Sequence, residues 1–313
     1  MLQTATAFAP ASVGNVAVGF DVLGHSFQAI GDRVTARRIA ERGPDGFGVR
    51  IASITGVATD LPLEPEKNTA GMAVLCMVRD LRLDFGIELS IEKGIPLGSG
   101  LGGSAASAVA GVVAANALLP KSLTRLELLQ FAMQGEAVAS GSKHVDNIAP
   151  SLFGGLVLTV GIDNPNVKQI PVPDSVRCVL VHPHMMLSTR EARQILNRSI
   201  DLSNVIWQSA NLAGFLTGCF TGDLQLIRES LEDVIIEPQR KVLIPGFQAV
   251  KDAAIANGAL GCSISGAGPT VFAWCEQQDA ERIRDAMVAG FTAHKLGSDA
   301  WISTLDAHGA RVI

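Results

Sequence analysis

The sequence predicts an α+β fold in two domains that share one cleft, and three observations carry that expectation. The chain has 313 residues, more than the roughly 100 to 200 of a usual single domain. Strand patterns crowd the first third, whereas helices and strands mix in the last half. Between an alternating strand and a small-residue helix lies the cluster Pro96-Leu-Gly-Ser-Gly-Leu-Gly-Gly-Ser-Ala-Ala-Ser107. A glycine-rich strand-to-helix turn is a place where an anion meets backbone N–H groups.

The elements follow in chain order. The first hundred residues read mostly as short strands and turns. Asp32 to Ile39 is rich in β-formers, and Ile87 to Glu92 alternates apolar and polar side chains, the period of a half-buried strand. Ser104 to Leu119 is small, apolar and helical, with Pro120 as its stop; Thr124 with Glu127 then forms a capping box for the next helix. Ser140 to Asn147 reads as a loop, and Gly154 to Val160 as a strand. The turn-rich stretch Asp163 to Asp174 marks the boundary, dividing the chain into domains 1–165 and 166–313. Beyond it, a strand at Arg177 to Val181, helices around 190–197 and 223–235, and a strand near Val271 to Trp274 give an α+β second half. No internal repeat or low-complexity tract interrupts this order.

Composition narrows the function. The net charge of -5 is spread along the chain with no Lys/Arg stripe, which argues against a nucleic-acid partner. The longest apolar stretch, Ala105 to Leu119, contains Ser107 and Asn116 and is too short to span a bilayer, so no membrane partner is expected. The N-terminus lacks a basic segment leading into an apolar one, and a cytoplasmic location is the expectation. Five scattered cysteines form no C-x-x-C pair, which speaks against a disulfide framework or a zinc site. Any positive potential for an anionic ligand must therefore be local, from backbone N–H groups, a metal and a few arginines.

Three kinds of phosphate loop compete for residues 96–107. Gly98-x-Gly100-x-x-Gly103 satisfies a dinucleotide fingerprint, but that motif needs a strand ending in an acid about 20 residues on, where this chain has a turn. A Walker A loop needs Lys then Ser/Thr, and here Ser104-Ala105 follows the last glycine. Asp84-Phe85-Gly86 matches a protein-kinase triplet, yet it precedes the glycine loop and no H-R-D exists. A tight structural turn is the bland alternative, which the strand-to-helix context disfavours.

The segment P-x-G-x-G-L-G-[GS]-S-A-A-S resembles the ATP loop of the GHMP kinases, the family of galactokinase and of the homoserine, mevalonate and phosphomevalonate kinases. Ala9-Pro-Ala-Ser-Val-Gly-Asn-Val-Ala-Val-Gly-Phe-Asp-Val-Leu-Gly24 looks like the first family motif in the form homoserine kinases carry, and Ser263-Ile-Ser-Gly-Ala-Gly-Pro-Thr270 like the third. With His144-Val-Asp-Asn147 between them, the resemblance covers the whole chain. One departure is Gly103, where many members have serine; with Ser104 retained, the expected effect is small. The resemblance implies an N-terminal domain like domain 2 of ribosomal protein S5, a ferredoxin-like C-terminal domain, ATP and Mg²⁺ as cofactors, L-homoserine as acceptor and a homodimer.

Site residues follow from the same resemblance. Pro96, Leu97, Gly98, Ser99, Gly100, Leu101, Gly102, Gly103, Ser104, Ala105, Ala106 and Ser107 are expected on the ATP phosphates, and Asn68 on the adenine. Ser104 and Glu136 are the expected Mg²⁺ ligands, few because phosphate oxygens supply the rest. Asn15, Asp21, His144, Asn147, Arg193 and Arg240 are assigned to the amino-acid substrate: a carboxylate suits its ammonium, and planar guanidinium groups its carboxylate. Thr189 is assigned to the γ-phosphate. Asn147 is expected to orient the reacting hydroxyl, with Asp146 structural or secondary, because phosphoryl transfer runs largely on positioning and charge stabilisation. Other readings are a relative acting on a different alcohol, a nucleotide-binding regulator on the same scaffold, and an RNA-binding module, which the acidic composition disfavours.

Overall fold

The structure is a computed structural model that describes residues 2–41, 47–140, 145–161, 164–197, 199–305 and 308–313. The first domain is built from β1 (Thr4–Gly14), β2 (Leu23–Ile39), β3 (Val49–Gly56), α1 (Thr69–Asp80), β4 (Gly86–Lys93), α2 (Gly103–Asn116), α3 (Arg125–Ser140), α4 (Val145–Phe153), β5 (Leu156–Val160) and β6 (Asn166–Ile170). The second continues with β7 (Val176–Pro183), α5 (Thr189–Gln194), α6 (Leu202–Thr221), α7 (Leu224–Ser230), α8 (Glu237–Arg240), α9 (Phe247–Ala256), β8 (Gly261–Ile264), β9 (Val271–Glu276), α10 (Ala280–Ala293) and β10 (Ser298–Thr304). The last strand, β11 (Arg311–Val312), returns to the first sheet beside β1.

That first sheet runs β11-β1-β2-β4-β3, with β5 and β6 added through the near end of β2. Its strands pair antiparallel except β3 with β4. Instead of short strands, the first forty residues form two long ones of 11 and 17 residues, whose register shifts between Pro10 and Ala11. The expected boundary after residue 165 falls inside the β5–β6 hairpin, so sheet membership puts the division between Ile170 and Val176. Past residue 165 the chain makes one more strand, β6, before it leaves the sheet.

The second sheet has the order β10-β7-β9-β8, all antiparallel, with helices between β7 and β8 and between β9 and β10. That is the ferredoxin-like arrangement. Its two faces bury different cores because strand side chains alternate. Val179, Val181, Val271 and Ala273 pack with α9 and α10, whereas Cys178, Leu180, Phe272 and Trp274 join the core of the first domain. The near-continuous apolar run Val176–Val181 thus reads as a strand covered on both sides.

The helix from Ser104 and the capping box at Thr124 appear as expected: Glu127 accepts from the Thr124 N–H and hydroxyl at 2.7 Å, and Thr124 Oγ1 accepts from the Glu127 N–H at 3.3 Å. All five cysteines are free. Among the described residues no helix is long and apolar enough to cross a membrane.

Candidate active site

A cleft opens where the glycine loop between β4 and α2 faces the second domain. Pro96, Leu97, Gly98, Ser99, Gly100, Leu101, Gly102, Gly103 and Ser104 line one wall. Gly98, Gly100 and Gly102 have φ of 61°, 76° and 65°, a left-handed backbone that non-glycine residues avoid. The carbonyls of residues 98–103 are bound by protein donors. Gly98 O accepts from Leu187 N–H, Ser99 O and Gly100 O from the hydroxyls of Thr270 and Ser265, and Leu101 O from Ser12 N–H. Gly102 O accepts from Ala106 N–H inside the helix, and Gly103 O from the Lys93 ammonium. In a trans peptide the next N–H points opposite the carbonyl, so residues 99–104 turn their N–H groups toward the cleft. Reinforced by the N-terminal end of the 14-residue α2, they make an anion cradle.

Not all of the expected loop faces that cavity. Ala105, Ala106 and Ser107 are buried within α2 and are absent from the cleft wall. The Ser107 hydroxyl instead donates to Asp32 at 2.6 Å beneath the loop. Asn68 also takes a different place: its Oδ1 caps α1 by accepting from Ala70 and Gly71, and its Nδ2 donates to Pro62 O. Its amide holds the start of that helix, and the residue is not part of the cleft wall. His144 lies outside the described residues.

The opposite wall brings together Asn15, Phe20, Asp21, Asp146, Asn147, Thr189, Arg193 and Arg240. The first motif reaches it through an unusual turn: Asn15, Val16 and Ala17 have φ of 69°, 43° and 54°, and Asp21 has 62°. Four non-glycine residues in left-handed conformations within seven positions are strained and persist only where surroundings hold them. Asn15 does part of this by accepting the Asp21 N–H at 3.0 Å and donating to Gly266 O at 2.9 Å. The third motif, running from β8 to β9, thereby braces both the glycine loop and the first motif.

Asp21 and Arg193 meet across the domains as a two-point ion pair at 2.8 and 3.0 Å. Hydrogen bonding to Asp21 raises the Arg193 pKa above its ordinary value. Arg240 is buried, donating Nε to Ala192 O and Nη1 to Gly266 O. Burial and, secondarily, Arg193 bring its pKa down to about 10, still charged at neutral pH. Both guanidinium groups approach the Phe20 ring, Arg193 at 5.4 Å and Arg240 at 5.1 Å from its centroid. Asp233 accepts three backbone N–H groups at 2.9 Å from Ile235, Ile236 and Glu237, and so fixes the start of α8, which carries Arg240.

Asn147 and Asp146 sit at the start of α4, not in a loop. Asn147 Oδ1 accepts from the Ser12 hydroxyl at 2.9 Å and its Nδ2 donates to Asp146 at 3.2 Å, so the amide has a defined orientation. Buried Glu136, from α3, lines the same cleft as Ser104. Ser104 Oγ is buried without a hydrogen-bond partner among the described residues. A buried hydroxyl in that state and a nearby carboxylate form a donor set of the kind Mg²⁺ takes beside phosphate. Thr189 is the first residue of α5 and lines the cleft.

Sequence reasoning missed Ser12, Phe20, Lys93, Asp32, Ser265 and Thr270. Four of these stand inside the two quoted motifs, where their hydroxyls or ring were the available signal; Asp32 and Lys93 had none beyond charge in an apolar setting.

Comparison with known proteins follows the same outline. The GHMP kinases N terminal domain description matches residues 68–155, and the GHMP kinases C terminal description residues 215–293. The chain is 52% identical to a homoserine kinase of Xylella fastidiosa (strain 9a5c) over 99% of its own length and 94% of the relative. It is 50% identical to one from Xanthomonas campestris pv. campestris (strain B100) over 100% and 95%. A crystal structure of homoserine kinase from Cytophaga hutchinsonii superposes with a TM-score of 0.95 at 46% identity, covering 100% of this chain and 98% of that one.

Proposed function

This chain belongs to the GHMP kinase family and, within it, to the homoserine kinases, and from that premise we propose that its cleft moves the γ-phosphate of ATP onto the side-chain hydroxyl of L-homoserine, giving O-phospho-L-homoserine for threonine biosynthesis. The observation that carries this reading is the set of fixed charges opposite the anion cradle: one carboxylate, Asp21, beside two guanidinium groups, Arg193 and Arg240. A zwitterion matches that set. Its ammonium replaces Arg193 on Asp21, and its carboxylate takes Arg193 together with Arg240 Nη2, which the two carbonyls leave uncommitted among the described residues. The acceptor hydroxyl then faces Asn147, held by Ser12 and Asp146, with Thr189 directed at the transferring group.

Ser104 and Glu136 would hold Mg²⁺, which supplies charge neutralisation on the phosphates when bound. The N–H groups of residues 99–104 hold the phosphate oxygens, and the closed cleft positions the acceptor, so no strong base is needed. We further place the protein in the cytoplasm, as a homodimer. The exposed side of α6 supports the second point: Leu202, Val205, Ile206, Trp207 and Phe220 are exposed on a helix with no charged residue. Its Ser209, Thr217 and Thr221 hydroxyls are turned back onto carbonyls four residues earlier.

ADP release measured with Mg²⁺-ATP and L-homoserine, beside mevalonate, galactose, L-serine and L-threonine, tests the acceptor. Turnover confined to homoserine is expected; turnover on another alcohol would keep the kinase and discard the Asp21/Arg193/Arg240 anchors. Sedimentation of wild type and Ile206→Glu tests the dimer, with monomer expected only for the variant.

A further inference from the structure

Beneath the glycine loop lies an ion pair that takes no part in lining the cleft. Asp32 on β2 and Lys93 at the end of β4 bond each other with side chains 0% and 2% exposed. Asp32 Oδ1 accepts from the N–H groups of Gly94 at 3.0 Å and Ile95 at 3.2 Å, and Oδ2 accepts from Ser107 Oγ at 2.6 Å and from Lys93. The Lys93 ammonium also donates to Ser107 Oγ and to Gly103 O, each at 2.8 Å. All three ammonium protons are thus used, and the carboxylate has four donors.

The topology of this network carries the inference. Gly94 and Ile95 are the residues by which the chain enters the loop from β4, and Gly103 is the one by which it leaves into α2. One buried pair holds both ends. A segment with four glycines in Gly98–Gly103 has many accessible conformations, and the cradle needs one of them. A buried ion pair is not in itself a source of stability over apolar residues of similar size, because desolvation offsets the attraction. Its place at the two ends of the loop points instead to geometry.

We propose that Asp32 and Lys93, joined through Ser107, are positioning residues for phosphate binding: they set the separation and orientation of the loop's ends so that its N–H groups converge on the nucleotide. They act through the loop and touch neither substrate. The inference rests on the nucleotide-binding part of the family reading and not on which alcohol is the acceptor. A role confined to folding would lower the melting temperature and leave nucleotide affinity of the folded protein unchanged.

The test is titration of full-length protein with Mg²⁺-ADP by calorimetry, with separate KM values for ATP and homoserine. The double variant Asp32→Asn/Lys93→Met removes both charges together and keeps an acceptor for Gly94 and Ile95. The expected result is a cooperatively melting protein with Kd for Mg²⁺-ADP and KM for ATP raised about tenfold or more, and KM for homoserine within about twofold. A folded double variant with wild-type nucleotide affinity overturns the proposal. Should that protein not fold, Ser107→Ala decides: a rise of about threefold or more in the same Kd upholds the clamp, and an unchanged value overturns it. The titration contains no acceptor, so it stands apart from any failure of the homoserine reading.

Discussion

Asn147 and Asp146 are neighbours with different work, and their bonds say which. The Asn147 amide is gripped from both sides, by Ser12 and by Asp146, while it faces the cleft. Replacing it with leucine should lower kcat by roughly 10² to 10³-fold with little change in KM for ATP, since positioning of the acceptor is lost. Asp146→Asn should lower kcat by less than about 10-fold. Steady-state kinetics on both variants check this; a loss near 10³-fold for Asp146→Asn with KM unchanged would mean that the carboxylate acts as a base. At this scale Asp21, Arg193 and Arg240 were singled out by the family resemblance, with which the charges of a zwitterion agree. The sequence was silent on their pairing with one another, because Asp21 and Arg193 are 172 positions apart and only the docking of two domains brings them together.

Among the elements, the glycine loop has a conformation that leaves little room for change. At Gly100 the backbone has φ of 76°, and an added Cβ would lie 2.5 Å from Ser265 O and 2.7 Å from Gly268 O. Gly100→Ala should therefore push the third motif off the loop and raise KM for ATP at least about 10-fold, with a lower melting temperature; kinetics and a thermal melt give both readings. The loop, α2 and the capping box of α3 were legible because glycine, proline and Thr/Glu punctuation is local chemistry. By contrast, α1 and α6 escaped notice. Opposite the buried stripe of α1 stand Met72 and Cys76, so no polar residue between Ala70 and Val78 marks a surface, and α6 is a 20-residue helix without a charge to mark a polar face. The ring formed by Asp32, Lys93 and Ser107 was equally invisible, since its members come from β2, β4 and α2.

For the whole molecule, the joint between domains is the informative feature. His25 is fully buried there, accepting at Nε2 from the Trp274 indole N–H at 3.2 Å while Nδ1 faces Ser26 O at 3.0 Å. Burial is the main reason its pKa falls to about 4, with the Ser26 carbonyl opposing. The unfolded chain thus takes up this proton first, near pH 6.5. The stabilisation is complete above that pH and is lost as pH falls through about 4, a change of about 3 kcal/mol at roughly 1.4 per unit. Urea unfolding of wild type and His25→Gln at pH 7.5 and 4.5 should show the extra loss only in the wild type. The same contact has an optical consequence. Trp274 is fully enclosed by groups from both domains, whereas Trp207 lies 57% exposed on α6. With Trp207 and Trp301 both replaced by phenylalanine, the remaining emission comes from Trp274 at the joint. A red shift on acidification that precedes any loss of far-ultraviolet ellipticity would mean that the two halves part before either melts; coincident changes would mean that they form one cooperative unit.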